Sequence, residues 1–160
     1  MAALSPWRRL SALGAAGSGS VLGAALWFQY VVGLAPCPMC IWQRWPHVAA
    51  IALGACAATL GLRLAAALGA VAMLIGAGLG FFHAGVEQGW WEGPTTCAAP
   101  PLGQLSTEEL LARIMAAPIV RCDEIAWSFA GISMAGWNAL LCLALAAIFL
   151  RAYASSSASQ

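Results

Sequence analysis

The sequence predicts an all-α membrane protein, an antiparallel four-helix transmembrane bundle with one short amphipathic helix outside it. Three observations carry this. First, 62% of the 160 residues are hydrophobic and only 8% are charged, where a soluble domain carries about 25% charged residues. Second, four segments, 10–43, 45–62, 64–86 and 125–150, contain no Asp, Glu, Lys or Arg, and each reaches the roughly 18 apolar residues that cross a bilayer as a helix. Third, the few charges are sorted. Arg8, Arg9, Arg63 and Arg151 fall at one end of such a bundle, and all six acids fall between 85 and 127 at the other. The formal net charge of +1 and the absence of lysine argue against a nucleic-acid partner.

The first helix is expected at about 10–32, behind Arg8 and Arg9. It exceeds the apolar core of a signal peptide, about 7–15 residues. Leu34-Ala35-Pro36-Cys37 resembles a lipoprotein cleavage site faintly, and Pro36 fits that reading poorly. The second helix is expected at about 42–61 and the third at about 64–84, with Arg63 in the tight turn between them. The fourth is expected at about 128–150, ahead of Arg151. Arginine-rich ends are retained in the cytoplasm. Both termini are then inside, and residues 33–40 and the 85–127 loop are outside, which in a bacterium is the periplasm. A single domain spans 1–154, and the serine-rich tail 155–160 reads as disordered. Glycines such as Gly14, Gly17, Gly19, Gly76, Gly78 and Gly80 suit close helix packing in lipid.

The outer loop has its own order. Ser106 with Glu109 forms a capping box, and Leu105 with Leu110 a hydrophobic staple. Leu110, Leu111, Ile114 and Met115 share one helical face, and Pro118 limits the helix. This short amphipathic helix is expected on the outer membrane surface, where it tethers the segment carrying Cys122.

The chemistry concentrates in cysteines. Cys37-Pro38-Met39-Cys40 stands where one apolar segment ends and the next begins, and Cys97 and Cys122 lie in the outer loop. All four sit on the side where disulfides persist. A haem attachment site would need His at position 41, which is Ile41. Zinc would have to take Cys37, Cys40, Cys97 and Cys122, but the second pair is not clustered, so no metal is expected. A structural disulfide between Cys37 and Cys40 would close almost no loop and stabilise little, which favours redox use. Cys56 and Cys142, inside helices two and four, read as small hydrophobes.

Cys40 is expected near the N-terminus of helix two, where the helix field lowers a thiol pKa. Arg44 follows one turn later on the same face; it could also be an interfacial anchor. Trp42, Trp45, Trp90, Trp91 and Trp127 gather at the outer interface, as an aromatic belt does. One or two of them could line a flat apolar pocket beside Cys40, with His83 as a hydrogen-bonding partner for a carbonyl there. His47, one turn past Pro46, reads as packing. A dithiol at a membrane surface with a second pair on the same side points to electron transfer between thiols and something dissolved in lipid.

The stretches Cys37-Pro38-Met39-Cys40-Ile41-Trp42-Gln43-Arg44, Arg121-Cys122-Asp123-Glu124-Ile125-Ala126-Trp127 and Gly131-Ile132-Ser133-Met134-Ala135-Gly136-Trp137 resemble the disulfide-bond formation protein B (DsbB) family, bacterial quinone-linked thiol oxidases of the inner membrane. The resemblance covers most of the chain. It implies that Cys97 and Cys122 form the disulfide that oxidises a periplasmic, DsbA-like thioredoxin-fold partner, Cys97 making the mixed disulfide. It implies that Cys122 passes electrons to Cys37, that Cys40 is the thiolate reacting with quinone (ubiquinone or menaquinone), and that Arg44 binds a quinone oxygen. His83 carries over less directly, since its flank diverges. A DsbA-type partner is itself strongly oxidising, at about −120 mV, so its steady re-oxidation needs a sink such as quinone. The vitamin K epoxide reductase family, a similar bundle, places its loop pair before its Cys-x-x-Cys; here the order is reversed. Two rivals stand beside this reading. One is a DsbI-like oxidase with a narrow client. The other is a non-enzymatic membrane scaffold with structural disulfides.

Overall fold

The computed structural model describes residues 5–94, 106, 108, 111, 115 and 120–157. Four helices dominate it: α1 (Pro6–Tyr30), α2 (Pro38–Leu60), α3 (Arg63–Glu87) and α4 (Met134–Ser157). A two-residue ladder, β1 (Ser128–Phe129) against β2 (Ile132–Ser133), leads into α4. α1 packs on α2 and α4, α2 on α3, and α3 on α4.

Local chemistry sets the ends. Pro6 and Pro38 occupy the first turns of α1 and α2, where a missing N–H costs nothing. α2 stops at Gly61, whose φ of 71° is a left-handed conformation that glycine adopts without strain. The ladder pairs Ser128 with Ser133 and Phe129 with Ile132. Ala130 and Gly131, both at positive φ, form the two-residue turn of the kind that matches strand twist. Ser133 Oγ then accepts the Gly136 N–H at 3.2 Å and so caps α4.

These signals account for the differences from the expected bounds. α2 begins at Pro38, so Cys37 is its N-cap and Cys40 lies within its first turn. The fourth helix starts at Met134, because 128–133 is spent on the hairpin. It runs to Ser157, three residues into the tail expected to be disordered. Of the amphipathic segment only Ser106, Glu108, Leu111 and Met115 are described. Glu109 of its capping box, both residues of its staple and Cys97 lie outside the described residues.

The interior is made of small residues and the exterior of large ones. Ala50, Ala57, Ala66, Ala70 and Ala152 are buried, whereas Leu13, Leu64, Val71, Ile75, Phe81 and Leu143 are exposed. In water this distribution would leave a very large apolar surface; against lipid it is the stable one. Phe149 is fully buried, and its ring fills a socket whose walls are Gly14 of α1, Gly54 of α2 and Gly69 of α3. A Cβ on Gly14 or Gly69 would lie 2.7 or 2.9 Å from that ring. Gly76 meets Cys142, and Gly80 meets the α4 backbone at Ala139. Gly19 and Gly78 face open space, so only part of the glycine pattern serves packing.

Among the described residues three helices, Pro6–Tyr30, Arg63–Glu87 and Met134–Ser156, are long and apolar enough to cross a membrane. α2 has the length, 23 residues, but its first half carries Gln43, Arg44, Pro46 and His47. Those polar groups, set among apolar helices, are where the site lies.

Candidate functional site

The beginning of α2 builds two adjoining places. The first is a buried thiol chamber. Cys37 caps α2, its Sγ accepting the Cys40 N–H at 3.3 Å. The Cys40 Sγ lies 3.2 Å away, within hydrogen-bond reach of it. His83, one turn from the end of α3, brings Nε2 to 3.6 Å from the Cys37 Sγ. Cys122 arrives from the far end of the long loop, completely buried. Its Sγ, the Cys37 Sγ and a His83 ring nitrogen lie within 4.8 Å of one another. Met39, Val86, Val120 and Trp91 close the chamber with apolar surface. Trp91 is held in place by its Nε1–H to the Phe82 carbonyl at 2.8 Å and by stacking on the Phe82 ring. Gly85 lies directly beneath the indole, where any Cβ would collide with it. Glu87 sits 4.0 Å from His83 Nε2.

The electrostatics follow from that geometry. Two donors from Cys40, its S–H first, outweigh the burial of Cys37, and His83 adds to them; together they hold the Cys37 thiol down to about 4. Its hydrogen bond to Cys37, then its own burial and the charge on Cys37, push Cys40 up. In the reduced pair this geometry favours the charge on Cys37, where the expected helix start favoured Cys40. The cause is the earlier start of α2, which gives Cys37 the capping position. Outside the chamber, Arg121 pairs with Asp123 at 2.9 Å and holds its carboxyl below the usual range.

The second place is an apolar pocket between α1, α2 and α4. Leu22, Phe28, Pro36 and Met134 supply much of its wall, and Cys40, Gln43, Arg44, His47 and Asn138 supply its polar groups. Cys40 and Arg44 line it from one face of α2, as their spacing predicts. Arg44 is half-buried and takes no hydrogen-bond or ion-pair partner among the described residues. A half-buried guanidinium beside a thiol, with no partner among the described residues, is a ready donor for an oxygen of a flat ligand. His83 does not line this pocket; it faces the thiol chamber. Trp127 packs near the pocket mouth on Phe28, while Trp42 and Trp45 face outward.

A hydrogen-bonded chain joins the two places. His83 Nδ1 meets Gln43 Nε2 at 2.8 Å. Gln43 Oε1 accepts from Asn138 Nδ2 at 2.8 Å. Asn138 Oδ1 meets His47 Nε2 at 3.0 Å. Gln43 and Asn138 escaped the sequence reading because it followed ionisable residues. The signal that would have found them is an uncharged amide inside an otherwise apolar span. His47, read as packing, is a member of the same chain. Cys56 is a half-buried residue near the Gly61 end of α2, and Cys142 packs in the core against Gly76 and His47.

Residues 7–152 match the family model described as disulfide bond formation protein DsbB. Among curated relatives, "Disulfide bond formation protein B" of Aromatoleum aromaticum is 38% identical over 142 residues, 81% of each chain. The protein of that name from Acidovorax sp. is 31% identical over 152 residues, 89% of this chain and 85% of its own. The one from Methylococcus capsulatus is 34% identical over 140 residues, 82% of this chain and 84% of its own.

Proposed function

Since the chain belongs to the disulfide bond formation protein DsbB family, we propose that it re-oxidises a DsbA-like periplasmic dithiol protein and passes the electrons, through two cysteine pairs, to membrane quinone. The observation that carries the reading is the placement of Cys122. It lies 85 positions from Cys37 in the sequence, yet its sulfur is within 4.8 Å of the Cys37 sulfur in a closed, apolar chamber. That is near enough for exchange with a small shift. Cys40, one turn further along α2, lines a different pocket with Arg44.

The exchange balances as follows. The partner's two thiols become its disulfide, and the Cys97–Cys122 disulfide becomes two thiols. The Cys122 thiolate then attacks Cys37 of the Cys37–Cys40 disulfide and Cys40 leaves as a thiolate. Cys97 attacks Cys122 of that mixed disulfide, restores Cys97–Cys122 and frees Cys37. Two electrons and two protons remain on the Cys37–Cys40 pair. Quinone supplies the two-electron sink that ordinary thiols cannot. This chain's residues would hold it in the pocket, Arg44 donating to an oxygen and Cys40 facing the ring. The fit rests on the apolar walls and on two groups without a partner among the described residues, the Arg44 guanidinium and the buried ring nitrogen His47 Nδ1. His83 acts on the thiol side, steadying the Cys37 thiolate.

In the membrane the four helices form a transmembrane bundle, α2 crossing with residues 42–61. Arg8 donates to the Ala58 and Thr59 carbonyls at the end of α2, and Arg63 lies over the Tyr153 ring. These gathered arginines support a cytoplasmic assignment of that end. The thiol chamber then faces the periplasm, with the amphipathic segment at the outer surface of the inner membrane.

The test is turnover by the purified protein with a reduced thioredoxin-fold donor and quinone. The parent should reduce quinone. Cys122→Ser and Cys40→Ser should not, while Cys40→Ser should still oxidise about one equivalent of donor through Cys97–Cys122. Full turnover by the Cys40→Ser protein refutes the relay.

A further inference from the structure

The chain His83–Gln43–Asn138–His47 has a fixed direction, and that direction decides which ring nitrogen of His47 carries the proton. Gln43 Nε2 lies 3.2 Å from the Met39 carbonyl oxygen. Only an NH₂ group suits an acceptor there, so the Gln43 amide cannot be turned round. Its second hydrogen goes to His83 Nδ1, which is therefore an acceptor. Gln43 Oε1 must take its hydrogen from Asn138 Nδ2. Asn138 then presents its oxygen to His47, and Nε2 of His47 must be the N–H that donates to it. The Cys142 sulfur, 3.5 Å from the same nitrogen, is a weak second acceptor.

Neutral His47 therefore keeps a lone pair on Nδ1. That atom is buried and has no hydrogen-bond partner among the described residues, and His47 is one of the residues lining the pocket with Cys40 and Arg44. A buried nitrogen without a partner is costly, and a ligand that supplies a donor removes the cost. An acceptor of this kind complements a hydroxyl, whereas the guanidinium of Arg44, which can only donate, complements a carbonyl or other lone pair.

We propose that His47 Nδ1 accepts a hydrogen bond from a hydroxyl of the reduced, quinol form of the ligand, so that this pocket distinguishes quinol from quinone through His47. The proposal rests on the quinone reading above and extends it to a residue not among those matched to the family's motif. Asn138 is its positioning residue, because it holds the tautomer that leaves Nδ1 free.

The experiment is equilibrium binding of a short-chain benzoquinone and of its benzoquinol to the full-length protein in detergent, followed by tryptophan quenching. A Cys40→Ser background prevents the protein from interconverting the two forms. His47→Leu should weaken quinol binding by about threefold to tenfold, the worth of one neutral hydrogen bond, and change quinone binding by less than about twofold. His47→Gln, which retains an acceptor, should recover part of the loss. Should His47→Leu fail to fold, Asn138→Leu serves as the second variant: the ring is then released to protonate Nδ1, and the preference should move toward quinone. Equal weakening of both forms, or no change in either, overturns the proposal and leaves His47 as packing. A parent that binds neither form overturns the quinone reading itself and this proposal with it.

Discussion

The depressed Cys37 thiol makes a prediction in which two opposing effects must be weighed. An ordinary thiol near 9.0, the starting value for Cys37, is only about 1% thiolate at neutral pH. Cys37, held down to about 4, is almost entirely thiolate. That gain of about 100-fold is offset, because nucleophilicity falls with pKa at a slope of about 0.4–0.5. Five units cost a factor of about 100–300. At neutral pH Cys37 should therefore react at about the rate of an ordinary cysteine, and a single measurement there would miss the effect. Acid separates them. Lowering the pH by two further units should slow an ordinary thiol about 100-fold, and slow Cys37 by little. The assay is exchange of the reduced protein with a small uncharged disulfide, with modification of Cys37 followed by mass spectrometry. Each profile is normalised to its own plateau, so the burial of Cys37 cancels. The sign is that of a lowered acid: reactivity is full above about 4 and falls only as the pH drops through it. Cys40→Ala should move the inflection up furthest, since the Cys40 S–H is the largest cause of the shift. His83→Ala should move it up less. A parent profile inflecting near 8–9 would refute the assignment of the charge to Cys37.

Other outcomes follow from the same geometry. Arg44→Ala or Arg44→His should raise the apparent quinone KM well beyond any change for the protein partner, with Arg44→Lys between them because it keeps charge without the planar fork; steady-state kinetics varying each substrate in turn would show it, and unchanged quinone kinetics would make Arg44 an interfacial anchor. Gly85→Leu should displace Trp91, which occupies the space beside Gly85, and should speed alkylation of Cys37 and Cys122 in the reduced protein without removing either thiol. Phe149→Ala, which empties the glycine socket, should cost about 3–5 kcal/mol, whereas Cys56→Ala should cost under about 1 kcal/mol at its half-buried site; thermal unfolding in detergent measures both.

Much of the helix plan was legible because lipid imposes it. Charge-free segments long enough to cross a bilayer have few other uses, and the three apolar helices fall where those segments lie. The boundaries were less legible, since they depend on short-range chemistry that hydropathy does not register. Pro38 and the sulfur cap at Cys37 draw α2 four residues earlier than its apolar run suggests, and the Ala130-Gly131 turn delays α4. The cysteines and Arg44 announced themselves by type and spacing. Cys122 could not be placed beside Cys37 by any local pattern, because the long loop that returns it has no periodicity linking the two. The amides were invisible for a different reason: Gln43 and Asn138 are unremarkable until a third helix brings His83 to them.

That convergence also explains how the first turns of α2 serve two kinds of chemistry. Cys37 and Cys40 are neighbours in sulfur chemistry, yet Cys37 belongs to a closed chamber with Cys122 and His83, and Cys40 opens onto the pocket with Arg44. Gln43 stands between them, donating to His83 on one side and accepting from Asn138 on the other. A carboxylate at that position would accept on both sides. It would force His83 Nδ1 to become a donor and so leave Nε2 of a neutral ring without the hydrogen that steadies the Cys37 thiolate. The amide is thus the side chain that satisfies both neighbours at once. Gln43→Glu should therefore disturb the Cys37 titration through His83, while the quinol preference stays in place, because the side facing Asn138 still accepts. A shifted quinol preference with an unchanged Cys37 titration would overturn this account of the chain.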